Sequence, residues 1–257
     1  MTQRHRRDDP APAGFPLANA SANDAEHIRA MQADPELREL RRQMIRAIAK
    51  YRYSYNFTWY GRPIIQLPDD VLALQEILFR VKPELVVETG IAHGGSVALS
   101  ASVLELLGRG QVVAVDIDIR AHNRAAMEAH PLRHRFELIQ GSSIDERIAA
   151  RVAAHAAGKS PVLVILDSNH THEHVAAELD LYAKLVTRGS YLIVLDTIIE
   201  DMDEGSFPDR PWGRGNNPKT AVHAFLAKND RFVVDKEVED RLLFTVAPDG
   251  FLKCVKE

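Results

Sequence analysis

The chain has 257 residues, of which 46% are hydrophobic, and its formal net charge is −4. This length suits one α/β domain with an additional N-terminal segment, and the hydrophobic content is sufficient for a full core. The slightly acidic balance disfavours a nucleic-acid partner. No apolar run reaches the roughly 18–20 residues that span a bilayer, which disfavours a membrane protein. The single cysteine, Cys254, excludes an intrachain disulfide and fits the cytoplasm.

The N-terminal part divides into two segments. Residues 1–22 are basic and then rich in proline and alanine, without the apolar stretch of a signal peptide, and are predicted to be a disordered tail. Residues 23–70 are predicted to form a helical extension, interrupted at Pro35, followed by an aromatic lid. The aromatic side chains of that lid are Tyr55, Phe57, Trp59 and Tyr60.

From residue 71 onward, apolar strands alternate with helices. Helices are predicted at 71–80, with Asp69 or Asp70 as its cap, and at 94–107, 122–130, 144–157, 172–185 and 220–228. Strands are predicted at 85–88, 111–116, 136–140, 162–167, 191–196, 232–234 and 244–247. Near-continuous Val, Ile and Leu runs indicate strands that are buried on both faces of a parallel sheet. The pattern predicts an α/β fold with a mostly parallel, doubly wound sheet that ends in an antiparallel hairpin.

Each of the five inner strands ends in a polar residue. These residues are Glu88, Asp116, Gln140, Asp167 and Asp196. Ligands of doubly wound sheets bind at the carboxyl ends of the strands. Four acidic residues among five strand ends therefore predict an active-site face at this edge.

The segment from Glu88 to Ser96, ETGIAHGGS, follows a strand and opens a helix. Its glycines permit a tight turn and a close approach to a ligand. The spacing GxxxGG differs from the dinucleotide fingerprint GxGxxG. A carboxylate would repel a pyrophosphate but attract the ammonium group of S-adenosylmethionine, which favours this cofactor over NAD. The cofactor contacts predicted in the loop are Glu88, Gly90, His93, Gly94, Gly95 and Ser96.

Two later strand ends complete the predicted cofactor site. Asp116 lies 26 residues after Gly90, where an acid can accept hydrogen bonds from both ribose hydroxyls. Asp118 competes for that role. Ser143, in the turn after the third strand of the alternation, is predicted to lie beside the adenine.

The segment LDSNHTHEH combines an acidic strand end with three histidines. Asp167 and Asp196 are expected on neighbouring strand ends, and two carboxylates that face one cavity suit Mg²⁺. His170, three residues after Asp167, is the first candidate for a general base, and His172 is the second. The alternating histidine spacing, which includes His174, does not suit a zinc site on one helix face. Asp167 is predicted to have three roles: metal ligand, cofactor contact and catalytic residue.

Several motifs together resemble the cephalosporin hydroxylase family of S-adenosylmethionine-dependent proteins, which includes rhamnosyl O-methyltransferases. They span residues 55–225 and read WxGxPIxQxPxD from Trp59, VETGxxxGGS from Val87, VDID from Val115, LDSxHxxxHV from Leu166, GSYLIVxDT from Gly189 and GxNPxxAV from Gly215. The resemblance implies a class I Rossmann-like methyltransferase fold for residues 71–257 and methyl transfer to oxygen. It also implies a cofactor contact by Gln66, a small-molecule acceptor such as a sugar or natural product, and a homo-oligomer. The alternative activities are a subunit that assists a separate oxygenase and an NAD-dependent oxidoreductase.

The resemblance further implies a divalent metal, usually Mg²⁺, held by the aspartate after the fourth strand and by an acidic pair after the fifth. Asp167 and Asp196 match two of these positions, but Leu195 stands where glutamate is expected. Oxygen ligands from the segment that follows are candidate replacements, namely Thr197, Glu200, Asp201 and Asp203. Residues 200–217 are predicted to form an acceptor-binding flap, with Trp212 as a contact.

Overall fold

The computed structural model describes residues 22–257, so the predicted tail lies outside the described residues except for Ala22. The N-terminal extension contains α1 (Ala22–Ala33), α2 (Pro35–Ala49), a 3₁₀ turn (Tyr53–Tyr55), β1 (Phe57–Trp59) and β2 (Arg62–Ile64). The predicted break at Pro35 is the start of a second helix. The Asp34 side chain caps it by accepting a hydrogen bond from the Glu36 N–H at 2.8 Å, and Pro35 occupies the first turn.

The remaining chain alternates strands and helices, as the sequence predicts. Its elements are α3 (Pro68–Val81), β3 (Leu85–Thr89), α4 (Gly95–Leu106), β4 (Gln111–Asp116), α5 (Ala121–Glu128), β5 (Phe136–Gln140), α6 (Glu146–Ala156), β6 (Val162–Leu166), α7 (His172–Tyr182), β7 (Tyr191–Val194), α8 (Pro218–Leu226), β8 (Phe232–Val234), α9 (Lys236–Glu239) and β9 (Phe251–Cys254). Within the described range, no helix combines the length and the apolar character needed to cross a membrane.

Seven strands form one sheet in the order β5-β4-β3-β6-β7-β9-β8. The first five are parallel, and β9 pairs antiparallel with both β7 and β8. Alternate residues of β3 face opposite cores, with Val86 on one side and Val87 on the other. The predicted α/β class and the doubly wound, mostly parallel sheet are therefore confirmed. The strand order reverses between β3 and β6, which is where such sheets open a ligand crevice.

The strand predicted at 244–247 is wrong, because this segment is irregular and the last strand is β9. Two acidic side chains in the first turn of α3 accept hydrogen bonds from backbone N–H groups of segment 244–247. The Asp69 carboxylate accepts from the Phe244 N–H and the Asp70 carboxylate from the Val246 N–H, each at 2.9 Å. The segment therefore pairs with a helix N-terminus instead of a strand. Neither aspartate caps α3, because the helix already begins at Pro68 with Leu67 as its N-cap residue, so both lie inside its first turn.

The predicted aromatic lid contains a β-hairpin formed by β1 and β2. The Trp59 indole N–H donates to the Ser102 hydroxyl on α4 at 2.9 Å. A Cβ on Gly95 would lie 2.3 Å from the Pro63 carbonyl oxygen, so the hairpin lies directly against the start of α4. The hairpin therefore borders the predicted cofactor loop.

Candidate active site

The glycine loop between β3 and α4 adopts a backbone that requires glycine. Gly90 has φ +87° and Gly94 has φ +86°, which L side chains rarely adopt. A Cβ on Gly90 would lie 1.9 Å from the carbonyl oxygen of Asp167. The loop therefore lies directly against the end of β6, and the two predicted halves of the site meet here.

The Asp116 carboxylate holds this loop in place. One of its oxygens accepts from the backbone N–H groups of Ile91 at 2.8 Å and Ala92 at 3.1 Å, and the other accepts from Asp118 N–H at 3.0 Å. Asp116, which is predicted to contact the ribose, thus also stabilises the backbone of the loop. Asp118, its predicted rival, is exposed just beyond β4.

A clamp that the sequence analysis missed fixes the other side of the loop. The Arg62 guanidinium donates to the His93 carbonyl at 2.6 Å and to the Asn123 side-chain oxygen at 3.0 Å. The Asn123 amide in turn donates to the Ala92 carbonyl at 3.0 Å. These partners come from β2 and α5, and no local sequence pattern brings them together.

Glu88 lies at the base of the loop and is fully buried. The Ser96 hydroxyl donates to one carboxylate oxygen, whereas the other oxygen, Oε2, has no hydrogen-bond partner among the described residues. Burial raises the pKa of Glu88 to about 7, against a smaller lowering by the Ser96 hydrogen bond. A buried acceptor that has no partner among the described residues, at the base of the glycine loop, fits the ammonium group of S-adenosylmethionine.

Asp167, His170 and Asp196 converge at the ends of β6 and β7. These strands are parallel neighbours, with Leu166 paired to Val194, so the residues that follow them meet at one edge. One potential ligand atom from each of the three side chains lies within 4.8 Å of the other two. Asp196 has φ +55°, a left-handed conformation that is uncommon for residues other than glycine, although Asp adopts it more readily than most.

The electrostatics of this cluster favour a cation. Burial raises the pKa of Asp167 well above its usual value, and the negative charges of Asp196 and Glu88 raise it further. A bound cation would oppose both effects. Two carboxylates and an imidazole within reach of one point are also a suitable donor set for a divalent metal.

One cleft contains both halves of the site. The predicted residues that line it are Gln66, Gly90, His93, Gly95, Ser96, Asp167, His170 and Asp196. Tyr55 from the lid and Ser168, which the sequence analysis did not select, also line this cleft.

Two predicted residues are directed elsewhere. The Ser143 hydroxyl lies 3.1 Å from the imidazole Nε2 of His174, and only 5% of Ser143 is exposed. His172 opens α7, and its Nδ1 lies 2.8 Å from the Thr220 hydroxyl on α8. Because both side chains contact other residues, their predicted roles at the adenine and as a base gain no geometric support. Neither lines the cleft, and the same is true of four other predicted residues, Glu88, Gly94, Asp116 and Asp118.

Comparisons with known proteins agree with this geometry. The model of the family described as "Rhamnosyl O-methyltransferase/CmcI" matches residues 51–255. A rhamnosyl O-methyltransferase of Mycobacterium tuberculosis is 35% identical over 202 residues, which cover 76% of this chain and 77% of that protein. A rhamnosyl O-methyltransferase of Mycobacterium leprae is 32% identical over 201 residues, covering 76% of this chain and 82% of that protein.

Solved structures support the same fold. A structure of CmcI with Mg and SAM has a TM-score of 0.56 and 20% identity, over 79% of this chain and 78% of that one. The predicted resemblance is confirmed by the extent of the family match and by the identity to the mycobacterial proteins. The chain belongs to the rhamnosyl O-methyltransferase/CmcI family and is an S-adenosylmethionine-dependent O-methyltransferase.

Proposed function

We propose that the enzyme methylates a hydroxyl group of a sugar or a sugar-bearing natural product, with a divalent metal held by Asp167 and Asp196. The observation that carries this proposal is the shared cleft. Gly90 and Ser96 of the cofactor loop line the same cavity as Asp167 and Asp196, so donor and acceptor would meet there.

The chain's own residues would hold the donor in a fixed orientation. Glu88 lies at the base of the loop, and its buried carboxylate oxygen without a partner among the described residues would attract the methionine ammonium. Gly90 lines the cleft and lets the loop pack against the end of β6. Asp116 keeps the loop in shape, and the exposed Asp118 carboxylate beside it is available to the ribose hydroxyls. Gln66 and the other predicted contacts on the cleft wall complete this site.

In the transfer step, the acceptor hydroxyl oxygen attacks the methyl carbon as the carbon–sulfur bond breaks. The products are a methyl ether and S-adenosylhomocysteine, and the hydroxyl proton passes to solvent water. Orientation of the two reactants supplies much of the rate in such a step. Asp167 and Asp196 would hold the ion, and a bound divalent ion lowers the pKa of a hydroxyl that it contacts.

A sugar is the favoured acceptor for two reasons. The mycobacterial relatives are named rhamnosyl O-methyltransferases. In addition, the Trp212 ring packs edge-on against His170, with 4.7 Å between ring centroids, and the Arg210 guanidinium lies 5.2 Å from the Trp212 centroid. An indole packed against His170, a residue of the cleft wall, would provide an apolar surface for the C–H face of a sugar ring.

The direct test is methyl transfer from labelled S-adenosylmethionine to a panel of deoxysugar glycosides, other sugars and phenols. We expect a mono-O-methylated glycoside and loss of activity in excess EDTA, restored by a divalent metal. Transfer to phenols alone would contradict the acceptor class. Full activity in EDTA would contradict the metal.

We further propose that the enzyme works as a homo-oligomer in the cytoplasm. Support comes from α2, which has no buried residue and leaves Leu40 53% and Met44 51% exposed. Light scattering should give a multiple of the monomer mass, and a monomer at micromolar concentration would contradict this assembly.

A further inference from the structure

We infer that His170 is a third protein ligand of the metal, so that the site contains one imidazole nitrogen and two carboxylates and prefers a first-row transition ion such as Mn²⁺ to Mg²⁺. This inference rests on the proposed metal-assisted function. It assigns His170 to the metal, in place of its predicted role as a general base.

The position that the family resemblance assigns to a glutamate ligand offers no oxygen in this chain. Leu195 stands there, is only 6% exposed, and packs in the hydrophobic core on one face of the sheet. A site built only from the matching strand ends would therefore have two protein ligands, Asp167 and Asp196.

The acidic residues after β7 already have other partners. Glu200 accepts from the Gly215 N–H at 2.7 Å and from the Asn217 side-chain amide at 2.5 Å. The two other carboxylates form ion pairs at 2.8 Å, Asp201 with Lys219 and Asp203 with Arg46. Each carboxylate would have to leave a partner to reach the cleft, so none of them replaces the missing glutamate.

Thr197 is also unsuitable as a ligand. It is fully buried, and its hydroxyl donates to the Pro248 carbonyl at 2.7 Å. All four candidates raised by the sequence are thus committed elsewhere.

His170 is the third side chain of the group formed with Asp167 and Asp196. Its Nε2 lies 3.1 Å from the Asp196 Oδ2, and this nitrogen, an Asp167 oxygen and an Asp196 oxygen form the compact group within 4.8 Å. Only 17% of the His170 side chain is exposed, and Trp212 packs against its ring. These contacts hold the nitrogen toward the two carboxylates.

The donor set determines the preferred metal. Mg²⁺ takes oxygen ligands almost exclusively and retains several waters, whereas imidazole nitrogen favours first-row transition ions. Mn²⁺ accepts both carboxylate and imidazole, so it suits this set better than Mg²⁺.

Pulsed EPR of the full chain loaded with Mn²⁺ reads the ligand directly. We expect ¹⁴N modulation from a coordinated imidazole in the wild type, its loss in His170→Ala, and its retention in His134→Ala, whose side chain is exposed on the surface beside Glu105. Calorimetry should show Mn²⁺ binding about tenfold or more tighter than Mg²⁺ in the wild type, with most of that preference lost in His170→Ala. Equal S-adenosylhomocysteine binding by all three proteins would confirm that they are folded.

Wild-type protein that binds Mn²⁺ without ¹⁴N modulation would overturn the inference, as would modulation that persists in His170→Ala. If the ¹⁴N modulation is lost in His172→Ala but kept in His170→Ala, the coordinating nitrogen belongs to His172, and the inference is overturned. If these results accompany metal-dependent methyl transfer, the proposed function stands and only the role of His170 fails. If no divalent ion binds, the metal part of the proposed function fails as well.

Discussion

Glu88 illustrates how a single buried carboxylate links stability to cofactor binding. Its pKa is raised to about 7 by burial, so the ionised form is costly in the absence of a cation. A raised pKa in the folded state means that the free energy of unfolding falls as pH rises from the unfolded value toward about 7. We expect Glu88→Gln to raise the free energy of unfolding of ligand-free protein at pH 8 by about 2 kcal/mol, with little effect at pH 4.5. Urea denaturation at both pH values measures this, and equal effects at both would contradict it.

The same residue predicts the pH dependence of cofactor binding. Below its pKa, Glu88 becomes neutral and loses its attraction for the methionine ammonium. Affinity for S-adenosylhomocysteine should therefore fall by about tenfold between pH 8 and pH 6 in the wild type. Glu88→Gln should bind weakly at both pH values, with a nearly flat profile. Calorimetric titrations test this, and an unchanged slope in the variant would exclude Glu88 as the titrating group.

Alanine variants of Gly90 and Gly108 can distinguish the effect of backbone strain from the effect of a steric clash. Both have positive φ, at +87° and +69°, but a Cβ would collide with the Asp167 carbonyl only at Gly90, because nothing lies within 4 Å of the Gly108 position. Gly108→Ala should cost about 1 kcal/mol of stability and leave S-adenosylhomocysteine binding unchanged. Gly90→Ala should cost about 3 kcal/mol and weaken binding strongly, because the loop must move. Similar binding by the two variants would refute the close approach of loop and strand end.

At the scale of elements, the start of α3 holds the C-terminal part of the chain. Asp70 is buried, accepts from the Thr245 hydroxyl and from the Val246 N–H, and has a pKa raised to about 7 by burial. Asp69 is less buried and, among residues 22–257, accepts from the Phe244 N–H alone.

Removal of these two carboxylates should therefore have unequal effects. We expect Asp70→Ala to lower the free energy of unfolding by about 3 kcal/mol, because it leaves the buried Thr245 hydroxyl and the partly buried Val246 N–H without this acceptor, and Asp69→Ala by about 1 kcal/mol. Chemical denaturation compares the two variants. A larger effect for Asp69→Ala would contradict the assignment of Asp70 as the main anchor.

The contrast between local and long-range information explains what the sequence could predict. Val- and Ile-rich runs define the parallel strands, and strand ends identify Asp167 and Asp196, because these features depend only on neighbouring residues and fold class. The strand predicted at 244–247 failed because its donors are captured by a helix about 175 residues away in sequence. The clamp of Arg62 and Asn123 was missed for the same reason, since 61 residues separate its members.

At the scale of the whole molecule, the order of the strands determines the position of the candidate active site. The order reverses between β3 and β6, so the glycine loop after β3 touches the end of β6. β7 lies next to β6, which places Asp196 beside Asp167 and His170. The glycine loop and the cluster of Asp167, His170 and Asp196 thus share one cleft, although their residues are spread over more than 100 positions of the chain.

The most direct test of this arrangement is single-turnover methyl transfer by wild-type and Asp196→Asn proteins preloaded with labelled S-adenosylmethionine, on the best glycoside of the acceptor panel. We expect Asp196→Asn to bind the cofactor with nearly wild-type affinity, because Asp196 lies outside the glycine loop. Its transfer rate should fall by about a hundredfold or more, because the charged group at the acceptor side is lost. Unchanged transfer in the variant, or loss of cofactor binding together with transfer, would contradict the separation of donor and acceptor sites within one cleft.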